Sequence, residues 1–244
     1  MKNNFSVQAR QYAIYRPTYP PELFEFLIQH VNQREAAWDC ATGNGQTAIA
    51  LARYFVQVSA TDISQQQLDN AQFGPNITYS LQAAERTSFE ENTFNLVTVS
   101  QALHWFHFDD FYKEVRRVTR RGGVFAAWSY SLLTISPEID EYIRDYHFNM
   151  LKDYWDAERR FVDEKYESIP FPFDEIVSPD FAIEYDWSIE QLEGYLRTWS
   201  AYQKFVNVNG FDPVEALIIK IRPFWKDEMI KVEFPVHMRA GRVE

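Results

Sequence analysis

The sequence predicts an α/β fold, a doubly wound and mostly parallel sheet, and three observations lead there. Between Ala36 and Tyr130 short apolar runs alternate with amphipathic stretches, the order of strand, helix and strand in a parallel sheet covered on both faces. A glycine-bearing turn, Asp39-Cys40-Ala41-Thr42-Gly43-Asn44-Gly45-Gln46, leaves the first run and opens a helix. An acid, Asp62, closes the second run at Ser59-Ala60-Thr61-Asp62-Ile63.

The elements follow in order. Pro20 and Pro21 introduce a helix whose apolar face is Leu23, Phe24, Leu27, Ile28 and Val31, and the residues before it form an N-terminal arm. Strands are expected at 37–42, 57–61, 77–82, 94–100 and 124–129, with helices at 47–54, 65–73 and 109–119. Asp109 and Asp110 start the last of these helices, while Arg116, Arg117, Arg120 and Arg121 lie at its end, so both ends match the macrodipole, and Gly122 with Gly123 stops it. After Tyr130 come long acidic and aromatic helices at 137–162 and a proline-broken stretch at 169–179. Both are read as an insertion over the carboxyl edge of the sheet. Strands return at 181–187 and 230–238, with helices near 189–202 and 213–225. The whole is one Rossmann-like, seven-stranded domain over 1–244, divided into an arm and helix (1–35), a core (36–130), the insertion (131–180) and C-terminal strands and helices (181–244).

Composition narrows the function classes. Apolar residues make up 46% of the 244, but no run nears the ~18 residues that a bilayer span requires, so a membrane protein is not expected. The first residues lack an apolar core and a small-residue cleavage site, so a cytoplasmic location is expected. A single cysteine, Cys40, rules out an internal disulfide and a multi-thiolate zinc site, and reads as a small buried strand residue. His30, His107, His147 and His237 show no ligand spacing, so no metal is expected. A net charge of −11 opposes a phosphate backbone, which leaves a small molecule as the expected partner and excludes nucleic acid. The sequence does not fix the oligomeric state.

The loop and the acid carry chemistry. Gly43 and Gly45 let the backbone turn tightly and approach a ligand without a Cβ in the way. In a parallel sheet Asp62 then stands beside that loop, where strand order reverses, placed to accept hydrogen bonds from both hydroxyls of a ribose. Read as Gly43-x-Gly45-x-x-Ala48, the same residues also approach an NAD fingerprint, so an NAD(P)-binding Rossmann oxidoreductase is the alternative. Asp39 weighs against it, because a carboxylate under the loop repels a pyrophosphate and attracts a sulfonium or an ammonium. No hydride-transfer set of serine, tyrosine and lysine accompanies it, and no GxxxxGK[ST] loop is present.

On these residues the sequence resembles the class I S-adenosylmethionine-dependent methyltransferases, whose first motif is DxGxGxG; Ala41 stands at the first glycine. The resemblance continues through Asp62, Gln82-Ala83-Ala84-Glu85, the run from Phe94 to Ala102, and Arg121-Gly122-Gly123. Within that family it is similar to the trans-aconitate methyltransferase-like, methyltransferase type 11 group, on Tyr12-Ala13-Ile14-Tyr15-Arg16-Pro17-Thr18-Tyr19-Pro20, Gln101-Ala102-Leu103-His104-Trp105-Phe106 and Thr198-Trp199-Ser200-Ala201-Tyr202. The resemblance implies S-adenosyl-L-methionine as cofactor. Asp39, Ala41, Gly43 and Gly45 would serve its methionyl end, Asp62 and Ile63 its ribose, and Ala84 with Glu85 its adenine. Asn44 and Gln101 are further expected contacts, as are Tyr12 and Arg16 from the arm.

Methyl transfer from a sulfonium is an in-line displacement that loses charge, so alignment and exclusion of water do most of the work, and proximity alone supplies ~7 to 11 kcal/mol. His104 is the candidate base, with a loop-orienting role as the plainer reading, and Trp105 offers an indole N–H and a ring face. Tyr15, Tyr19, Trp105 and Trp199 are the expected acceptor contacts. The reading is a methyltransferase for a small molecule, with a carboxylic acid favoured because a carboxylate needs no base. A non-catalytic S-adenosylmethionine-binding protein is a further alternative, against which His104 and Trp105 speak.

Overall fold

The computed structural model describes residues 17–244, so Tyr12, Tyr15 and Arg16, expected at the cofactor and the acceptor, lie outside the described residues. Five strands run parallel in the order 3-2-1-4-5: β1 (Ala36–Cys40), β2 (Gln57–Asp62), β3 (Ile77–Leu81), β4 (Phe94–Ser100) and β5 (Thr119–Tyr130). The order reverses between β1 and β4, which opens a crevice beyond their carboxyl ends.

Alternate residues of the central strands feed two cores. Ala37, Leu96, Val124, Ala126 and Trp128 face the first, where α1 (Pro21–Gln29) buries Leu23, Phe24, Leu27 and Ile28. Trp38, Val97, Phe125 and Ala127 face the second, under Phe111, Val115 and Val118 of α4 (Phe108–Val118). Strands enclosed on both sides in this way read as nearly continuous apolar runs, the pattern visible in the sequence. Short helices α2 (Gln46–Leu51) and α3 (Gln65–Asp69) follow β1 and β2.

Three expectations on local structure are corrected. Gly122 and Gly123 do not stop α4: Thr119 is already extended (φ −86°, ψ 136°) and pairs with Phe94, so the glycines sit inside β5, with Gly122 at φ +75° where the register shifts. The helical run expected at 137–162 is broken into α5 (Pro137–Asp145), a π-turn at Tyr146–Met150, two 3₁₀ turns and α6 (Arg160–Asp163). Trp155 and Asp156 are extended there, their side chains held by the His147 carbonyl (3.1 Å) and by Lys204 (2.6 Å). The helix expected at 189–202 is two, α7 (Ile189–Arg197) and α8 (Ser200–Asn209), separated at the extended Trp199.

The sheet has eight strands where seven were expected. The extra one, β6 (Asp174–Ile176), lies in the proline-broken stretch. It exists because β8 (Ile230–Arg242) is long: its first half pairs with β7 (Phe181–Trp187) and its last residues with β6, while its other edge runs antiparallel to β5. Between β7 and β8, α9 (Pro213–Ile221) starts at Asp212, whose carboxylate accepts from Val214 N. Among the described residues no helix is long and apolar enough to cross a membrane.

Candidate active site

The turn after β1 is built on left-handed backbone: Ala41 at φ +53°, Gly43 at +57° and Gly45 at +83°. At Gly45 a Cβ would come within 2.2 Å of the Tyr79 hydroxyl, so a larger residue would be strained by its φ and would have to displace that ring. Ala41 adopts the conformation in spite of its Cβ, at roughly 1 to 2 kcal/mol. Hydrogen bonds fix the turn: Thr42 N donates to Thr61 O (2.9 Å), Gly45 N to Thr42 O (3.0 Å), and Gln72 N to Asn44 O (3.0 Å).

Asp39 props this turn from within. It is fully buried; its Oδ2 accepts from Thr42 Oγ1 (2.5 Å) and its Oδ1 from Thr98 Oγ1 (2.9 Å). Burial pushes its carboxyl up to about 7, against the pull of these two hydroxyls and a backbone bond at Ala48. Thr98 was not singled out from the sequence, since only the register that sets Asp39 beside Thr98 brings the two together.

Asp62 ties the end of β2 to the same turn. Its Oδ2 accepts from Gly43 N (2.9 Å) and its Oδ1 from Ser64 N (2.9 Å), and burial raises its pKa. The Ile63 N–H acts on the same carboxylate, whose remaining acceptor capacity faces the turn and suits a ribose hydroxyl. Ile63 beside it is 41% exposed. Gln82 N donates to Asp62 O (3.0 Å), and beyond it Ala84 is buried while Glu85 Oε1 accepts from His107 N (3.2 Å).

After β4, Gln101 is also left-handed (φ +55°) and its N–H donates to Trp128 O (2.9 Å). Its side-chain Nε2 is enclosed and has no partner among the described residues, a buried donor that calls for a ligand or a water. Thr47 Oγ1 donates to Ser100 Oγ (3.1 Å), which holds the start of α2 against the end of β4. The following 3₁₀ turn, Leu103–Trp105, buries His104 at 7% exposure with Nδ1 at 2.9 Å from the Tyr166 hydroxyl. Burial, helped by the charge of Arg159 and opposed by that of Asp163, lowers its pKa to about 3. Trp105 is half-buried, its ring 4.8 Å from that of His104.

The remaining expected contacts divide. Tyr19 packs at the carboxyl end of β5, its ring 5.5 Å from Trp128 and 6.5 Å from Tyr130, and Gln46 donates to Pro17 O (3.2 Å), which sets Pro17 beside the start of α2. Trp199 is enclosed, 4% exposed, among the rings of Tyr146, His147, Trp155 and Tyr195. Tyr166 was missed because it lies in the insertion, 62 residues from His104, with no local pattern to join them.

Residues 38–127 match the family described as a methyltransferase domain. A Dictyostelium discoideum protein named as a methyltransferase is 31% identical over 251 residues, covering 99% of this chain and 95% of the relative. One from Saccharomyces cerevisiae, named as an S-adenosylmethionine-dependent methyltransferase, is 23% identical over 62% of this chain and 55% of its own length. A solved structure described as a type II methyltransferase from Anaeromyxobacter dehalogenans superposes with a TM-score of 0.88 at 36% identity, covering 94% of this chain and 98% of that one.

Proposed function

Because the chain belongs to the class I S-adenosylmethionine-dependent methyltransferases, we propose that it transfers the methyl group to a small carboxylic acid, forming a methyl ester. The residues after β1, β2, β3 and β4 fit the cofactor. Gly43, Asn44 and Gly45 would receive the methionyl end over Asp39, Asp62 and Ile63 the ribose, and Ala84 with Glu85 the adenine. Gln101, with its unpartnered Nε2, would give a donor to the cofactor. When bound, the cofactor supplies an electrophilic methyl group; the chain has to align an acceptor with it and keep water away.

The observation that carries the choice of acceptor is the state of His104. With its pKa near 3, bound through Nδ1 and buried, it is a poor base at neutral pH. A hydroxyl or an ammonium needs a proton removed, whereas a carboxylate is already the nucleophile. Trp105, half-buried beside His104, supports this reading as a ring face and an N–H for the acceptor, and Tyr19 as an aromatic wall at the end of β5. The test is a panel of small acids, alcohols and amines with methyl-labelled cofactor, followed by mild base. Labelled methanol released from an acid product is the expected result; a base-stable product from an alcohol or an amine overturns the acceptor class.

A further inference from the structure

We propose that Tyr166 is a positioning residue: its hydroxyl donates to His104 Nδ1 and fixes the imidazole with its proton on Nε2, so that His104 meets the methyl acceptor as a hydrogen-bond donor and not as a base. This rests on the reading that the acceptor lies beyond β4. The phenol of Tyr166 is fully buried and stays protonated, since burial raises its pKa well beyond its ordinary value, so it has one proton to place. His104 Nδ1, at 2.9 Å, takes it. The backbone N–H groups of Leu103 and His104 and the Ser129 hydroxyl act on the same phenol oxygen and pull its pKa down against burial. The chain is bent to bring the phenol there: Lys165 and Tyr166 both adopt left-handed backbone, at φ +57° and +63°, after α6.

A bare Nδ1 occupied by a donor leaves the ring proton on Nε2. That nitrogen makes no hydrogen bond among the described residues and is not among the enclosed unpartnered atoms. The charged groups acting on the ring, Arg159 and Asp163, both come from the insertion and oppose each other. An N–H offered by a neutral ring suits an anionic oxygen, and it leaves no lone pair on that side to remove a proton.

The test is nitrogen-15 NMR of histidine-labelled protein from pH 5 to 8, with the His104 signals assigned by their loss in His104→Gln. Nε2 protonated, Nδ1 bare and no titration across the range is expected; in Tyr166→Phe the His104 signals should shift to mixed tautomers or begin to titrate. A proton on Nδ1 in the wild type, or an unchanged tautomer in a folded Tyr166→Phe, overturns the assignment, and neither result depends on the acceptor being known. Turnover gives a second readout. His104→Gln, which retains an N–H near the Nε2 position, should stay within about tenfold of wild type, whereas loss of a general base costs ~10² to 10⁴. A loss of that size, with an acidic limb near neutrality in the wild type, also overturns it.

Discussion

Asp39 shows how one side chain couples folding, pH and ligand charge. Its carboxyl is raised from 3.8 to about 7, chiefly by burial, so the folded chain holds a proton that the unfolded chain has lost. The sign follows: the stability that Asp39 contributes as a neutral acid is fully present below about pH 4 and is lost as pH rises through 7, a few kcal/mol in all. Asp39→Asn, which keeps shape and removes the charge, should therefore raise the melting temperature at pH 8 and leave it near wild type at pH 4. A cationic cofactor favours the ionised form, so affinity for S-adenosylmethionine should rise from pH 6 to 8 in wild type and stay flat in the variant. Calorimetric titration at the two pH values measures this; a wild-type affinity independent of pH would separate Asp39 from the cofactor's charge. The sequence named Asp39, Gly43, Gly45 and Asp62 because their chemistry is local to two strand ends. It did not name Thr98 or Tyr166, whose roles depend on register and on a long-range fold of the insertion.

At the scale of elements, the strands were legible and the helices over the carboxyl edge were not. Strands buried on both faces leave a strong apolar signal, and β1, β2 and β4 lie within two residues of where that signal put them, whereas β5 starts at Thr119, ahead of the expected 124. The insertion is rich in Asp, Glu, Tyr and Phe, and side-chain bonds outside the helical ladder decide where its turns end; Trp155, bonded to the His147 carbonyl, and Asp156, bonded to Lys204, are extended for that reason. Trp199 marks the same effect between α7 and α8, and its position among four rings changes the weight of its expected acceptor role. Trp199→Ala should destabilise the fold by about 3 to 5 kcal/mol, as a large ring lost from an enclosed site, and leave cofactor affinity within twofold. Denaturant unfolding and cofactor titration check the two parts. Unchanged stability with a raised KM for the acceptor would return Trp199 to the acceptor site.

For the molecule as a whole, the strand order 3-2-1-4-5 brings the ends of β1, β2 and β4 to one crevice, and eight strands rather than seven follow from the length of β8. A doubly wound, mostly parallel sheet was readable from the alternation of strand and helix. The doubling of β8's outer edge was not, since β6 has only three residues and sits among prolines. The central claim is that this crevice holds S-adenosylmethionine on the turn after β1 and on Asp62, and ligand-induced stabilisation tests it most directly. A ligand at a hundred times its Kd adds about 2.7 kcal/mol to the folded state, roughly 5 to 11 °C for a chain of this size. S-adenosylhomocysteine should raise the melting temperature by such an amount, NAD and NADP should not, and Asp62→Ala should lose at least tenfold in affinity, since each bond to a charged acceptor contributes ~1.5 to 3 kcal/mol. A shift with NAD and none with S-adenosylhomocysteine, or an Asp62→Ala protein that binds S-adenosylhomocysteine as tightly as wild type, would contradict it.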